Sequence, residues 1–165
     1  MSKPVLTAEE LLAWNDKTSQ NWRRFLSDHP ELLEKPCDVA GAKTIGELLQ
    51  HIVAVELRYA QRLANLPITE YSGVPYDSVD SLYETHTRAL ALFQQTLAAE
   101  TNWDEEIDFP SRTQGRIRST RKTIFFHSLL HSIRHYAQLA TLARQLGIQP
   151  DWLMDYLAMH MERIP

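Results

Sequence analysis

The chain is poor in cysteine, with Cys37 the only one among 165 residues. That excludes an intramolecular disulfide and any multi-cysteine zinc or iron–sulfur site. Its neighbours Pro36 and Asp38 supply no base and no helix N-terminus to activate it, so it reads as a plain loop thiol. Glycine (5) and proline (8) are too scarce for a loop-rich β-sandwich. No run approaches the roughly 20 apolar residues that cross a bilayer. Met1-Ser2-Lys3-Pro4 leads into Thr7-Ala8-Glu9-Glu10 without an apolar stretch, so no export signal is expected and the cytoplasm is the expected compartment. Phosphate-binding glycine loops, G-x-S-x-G, H-E-x-x-H and C-x-x-C are all missing. Acidic residues vanish between Phe109 and Pro150, where Arg112, Arg116, Arg118, Arg121, Lys122, Arg134 and Arg144 give +7 against a net −4 for the whole chain.

What remains is ordinary globular material, 44% apolar and 23% charged. The length predicts one domain over residues 1–165 that folds without a metal or disulfide. Apolar residues recur with the helical period. The first helix starts at the capping box Thr7-Ala8-Glu9-Glu10, carries Leu11, Leu12, Trp22, Phe25 and Leu26, and stops at His29-Pro30. A second box, Thr44 to Glu47, opens a helix striped by Ile45, Leu48, Leu49, Ile52, Val55 and Tyr59 that reaches Asn65-Leu66-Pro67. The third begins at Ser78 or Ser81, the latter with Glu84 forming a box, and fades near Glu100. Residues 103–119 alternate in polarity around Gly115 and read as a short hairpin or an extended loop. The fourth helix runs from Thr120 to Leu146 with Gly147 as its stop, and Pro150-Asp151 introduces a short fifth from Trp152 to Met161. The expected fold is all-α, a four-helix bundle with that hairpin or loop before the fourth helix.

Seven histidines are present, and three of them, His127, His131 and His135, fall within nine residues at i, i+4 and i+8 of the fourth helix. Neighbours one turn apart face the same way and can share one metal ion. Eight residues rise about 12 Å, too far for both end members to reach the same ion. The pair is therefore His127 with His131 or His131 with His135. His51, beside the apolar stripe of the second helix, is the best further ligand. Glu47, four residues before it, is a candidate ligand or hydrogen-bond acceptor behind it. Three histidines with an open fourth position make a catalytic kind of site. A lone core histidine is most often just a hydrogen-bonded packing residue, but three among Phe125, Phe126, Leu129 and Leu130 would each need separate partners. His29, His86 and His160 read as surface or helix-end residues. The basic segment suits an anionic ligand, with pairing to Asp104, Glu105 and Glu106 or to a second subunit as the plainer reading. Few interleaved aromatics and no helix-turn-helix or zinc-finger spacing argue against nucleic acid.

The stretch from Phe126 to Gly147 resembles the signature helix of the DinB-like (DinB/YfiT) families. There the helix carries H-x-x-x-H-R-G-Q, then an apolar run and L-R-Q-L-G. Here His131 and His135 keep the spacing, Tyr136-Ala137 replaces Arg-Gly before Gln138, and Leu142-Ala143-Arg144-Gln145-Leu146-Gly147 closes it. Leu48-Leu49-Gln50-His51-Ile52 resembles the early histidine of the family's second helix. The resemblance spans about residues 7 to 148 and implies an up-down-down-up bundle, commonly a homodimer. It implies a divalent metal, nickel or zinc, on His51, His131 and His135, with His127 and Gln138 behind the ligands. Arg134, next to His135, is a candidate anion contact. Characterised relatives include thiol S-transferases and a thiol-dependent isomerase, so a low-molecular-weight thiol, or water, is the implied partner of the metal. The other expectation is a metal- or ligand-holding stress-response protein without turnover.

Overall fold

The computed structural model describes residues 5–164. Four long helices, α1 (Ala8–Asp28), α2 (Ile45–Leu63), α3 (Val79–Ala98) and α4 (Arg121–Gln145), form a bundle. Between α3 and α4 lies an antiparallel pair of strands, β1 (Glu106–Ser111) and β2 (Gly115–Thr120). The four-helix bundle is the one expected, and of hairpin or loop the segment before α4 is the hairpin, so the fold is mostly helical with a two-stranded sheet. Asn15 of α1 meets Leu129 of α4 and Ser19 meets Tyr136, so these helices run parallel. Arg121, at the start of α4, reaches Leu63 at the end of α2, while His131 meets His51 further along, so α2 runs against α4. Arg23 pairs with Asp80 and Asp16 with His86, which sets α3 against α1.

Local chemistry starts and stops the helices. Thr7 and Glu10 form the reciprocal box expected, with contacts of 3.2 and 2.8 Å. Thr44 caps α2, but Glu47 turns its carboxylate to the Lys43 N–H at 2.8 Å instead of closing the box. Ser78, not Ser81, caps α3, and Ser81 reciprocates. Gly147 at φ 79° ends α4, and Ile148 and Gly147 return their N–H groups to Ala143 and Arg144. The fifth helix does not form. Residues 156–159 make only a single 3-10 turn, because this segment packs sideways onto α1. Trp152 meets Trp22 edge-on at 5.1 Å, Tyr156 meets Trp14 at 5.3 Å, and Lys17 Nζ donates to the Ala158 carbonyl at 2.7 Å.

The hairpin forms because its alternating residues have two different places to go. Phe109 is buried against Tyr59 and beneath the Arg62 guanidinium, both on α2. Asp108, on the opposite face, takes Arg118 and Arg116. Ser111 pairs with Gly115, leaving Arg112-Thr113-Gln114 as the turn and Gly115 at φ 71°, where a side chain would be strained. The apolar core has two parts. One gathers Trp22, Leu48, Ile52, Leu82 and Tyr136; the other gathers Leu11, Leu57, Phe93, Phe125 and Leu129. Between them along the helices lie buried polar residues, among them Asn15, Glu56, His86 and Ser132.

Candidate metal centre

His51 arrives from α2, and His131 and His135 from α4. The relative position of these helices is pinned at their other end. Arg121 donates to the Leu63 carbonyl at 2.7 Å, to Asn65 Oδ1 at 3.2 Å and to Glu105 Oε2 at 2.6 Å. With that register, the three ring nitrogens converge. His131 Nε2 stands 3.1 Å from His51 Nε2 and 3.2 Å from His135 Nε2, and all three candidate donors lie within 4.8 Å of one another. His131 and His135 are buried and His51 is half-buried.

The proton positions fit a metal ion. His135 Nδ1 lies 2.7 Å from Gln138 Oε1, an oxygen that only accepts, so the ring proton sits on Nδ1 and Nε2 presents a lone pair. His51 Nδ1 lies 3.4 Å from Tyr71 Oη. A ring has one mobile proton, so three convergent Nε2 atoms cannot satisfy one another, whereas a single cation takes every lone pair. Metal–nitrogen bonds of roughly 2.0–2.1 Å in a tetrahedral site put donors about 3.3 Å apart, close to the two spacings that His131 makes. Electrostatics point the same way. Burial, then the charge of His135, pushes His131 down to about 2 and His51 down to about 4. Burial also lowers His135, against the hydrogen bond it donates to Gln138. All three are thus neutral near pH 7, the form that ligates metal.

The surrounding residues divide. Arg134 Nη2 donates to His135 Nε2 at 3.2 Å, placing its guanidinium on the lone pair a metal would take. His127 lies on the exposed side of α4, its ring 5.6 Å from His131 and edge-on to Tyr59 at 5.5 Å. Glu47 is occupied by Lys43 and is not part of the metal-capable group. Two residues beside the cluster carried no periodic signal in the sequence. Tyr71 sits in a short 3-10 turn between α2 and α3, and the Arg112 guanidinium lies 4.3 Å over its ring.

His86 corrects a surface assignment: it is only 1% exposed. Its Nδ1 lies 2.7 Å from Glu56 Oε2 and its Nε2 3.4 Å from Asp16 Oδ1. Leu82, His86, Ala89 and Phe93 share the inward face of α3, a period that its polar sequence neighbours hide. Glu56, a carboxylate within the apolar run Val53 to Leu57, was the signal for this second buried cluster.

Fold and site define a class: a helical bundle with three clustered histidines that could hold a metal ion. The chain belongs to the DinB family, whose model matches residues 1–164. Comparison with curated proteins finds no match.

Proposed function

We propose that this DinB-family protein is a divalent-metal-dependent enzyme that activates a low-molecular-weight thiol for transfer to an electrophile, with His51, His131 and His135 holding nickel or zinc. The observation that carries this reading is the convergence of three neutral imidazole nitrogens at 3.1 and 3.2 Å. A bound divalent ion would lower the pKa of a coordinated thiol, or of water in a hydrolytic variant of the reaction, and give the anionic nucleophile near neutral pH. The chain's own residues do the rest. Gln138 fixes the tautomer of His135, and Tyr71 stands behind His51. Arg134 brings positive charge to the open side.

The test is metal content by mass spectrometry of tag-free protein purified without chelator, wild type beside His131→Ala. The expected result is about one divalent ion per chain, lost in the variant with helicity retained. The loaded wild type should consume a thiol in the presence of an electrophile. Metal without thiol consumption would support the non-catalytic, ligand-holding reading instead. No metal after incubation with zinc and nickel would sink both.

A further inference from the structure

The basic stretch after Phe109 is not uniform. Arg116 and Arg118 share the Asp108 carboxylate, and Arg121 pairs with Glu105. Arg112 and Arg134 are exposed and have no carboxylate partner among the described residues. Both nevertheless converge on the histidine cluster, and from different elements. Arg134 reaches His135 Nε2 from α4. Arg112, the first residue of the hairpin turn, lies over Tyr71, whose hydroxyl faces His51 Nδ1. Arg58, a third guanidinium on this side, is committed to the Thr69 carbonyl.

We propose that Arg112 and Arg134 form an anion clamp flanking the three histidines, so that the site selects a small ligand bearing a carboxylate a few bonds from the atom that meets the metal. The inference rests on the metal-site reading above and names the substrate class for it. Three neutral ligands leave the ion's double positive charge uncompensated, and two unpaired guanidiniums add to it. A ligand that brings one anionic donor and one carboxylate offsets half of those four positive charges. Guanidinium suits the second group because its planar fork grips a carboxylate with two parallel hydrogen bonds. Metal on His135 Nε2 would also displace Arg134 from that lone pair and release its donors toward the ligand. The hairpin then has a task beyond covering α2: its turn carries one arm of the clamp.

The test uses the full chain loaded with cobalt(II) and two probes of equal length, 3-mercaptopropionate and 3-mercapto-1-propanol. Binding is read from the thiolate-to-cobalt charge-transfer absorption, and cobalt per chain is measured alongside. Wild type should bind the carboxylate probe about tenfold more tightly, the value of one charge-assisted pairing. Arg112→Met and Arg134→Met should each cut that preference to about threefold or less at unchanged cobalt content, and Arg112→Lys should keep part of it. Equal affinity for the two probes, no binding of the carboxylate probe, or a preference untouched in both Met variants would overturn the clamp while leaving the metal site standing. Failure of the wild type to take up cobalt would instead remove the metal reading, and the clamp with it.

Discussion

Two histidine sites lie buried in the same bundle, and they titrate in opposite directions. At His86, burial alone would depress the imidazole, but the charge and hydrogen bond of Glu56, together with Asp16, outweigh it and hold the ring up to about 9. Asn15 Nδ2, 3.4 Å from Glu56 Oε1, steadies the carboxylate. At His51, His131 and His135 no carboxylate among the described residues joins the cluster, so burial and neighbouring positive charge push every ring down. Desolvation acts on both sites, and the partner decides the sign. The first site is electrically complete within the chain. The second brings three imidazole nitrogens together with no carboxylate among them, a group that could hold a cation.

The largest expected effect comes from breaking the complete site. Glu56→Ala strips the paired carboxylate from a buried imidazolium and should cost about 3–5 kcal/mol of unfolding free energy, read by urea denaturation at pH 7. A cost below about 1 kcal/mol would mean that the pair contributes little beyond packing. Next is the pH profile of the same site. His86 is raised in the fold from an unfolded value near 6.5, so its contribution is fully present below about pH 6.5 and is lost as pH climbs through about 9. Stability should fall by an amount on the order of 3 kcal/mol over that window, and His86→Gln should flatten the slope. The smallest effect sharpens the other side of the comparison. Gln138→Ala frees the tautomer of His135 and should weaken zinc affinity about 10- to 100-fold, measured by chelator competition, with little change in metal-free stability. An unchanged affinity would show that Gln138 does not orient the ligand.

Much of this was legible in the sequence where the determinants are local. Thr7, Thr44 and Gly147 mark helix ends because a cap acts within a few residues. The histidine spacing announced a cluster, but one-turn spacing could not choose between His127 and His135; the family resemblance made that choice. His86 was hidden because Glu84, Thr85, Thr87 and Arg88 surround it in sequence, whereas its neighbours in space are three and four residues away. Residues 152–161 look helical in composition, yet Trp152 and Tyr156 gain more by packing edge-on against Trp22 and Trp14 than a short isolated helix could supply. Tyr71 and Arg112 sit in turns, where no period exists to reveal which way a side chain faces.

The junction between hairpin and α4 has no slack: Thr120 is both the last residue of β2 and the cap of α4. The strands are therefore an outrigger whose length is independent of the helix that bears His131 and His135. Adding two residues to each strand would preserve which side chains face α2, yet carry position 112 outward by about 7 Å. Adding one would turn Phe109's face to solvent. Under the proposed clamp, ligand preference in such a scaffold can diversify in two-residue steps of one hairpin, while the three clustered histidines stay where they are.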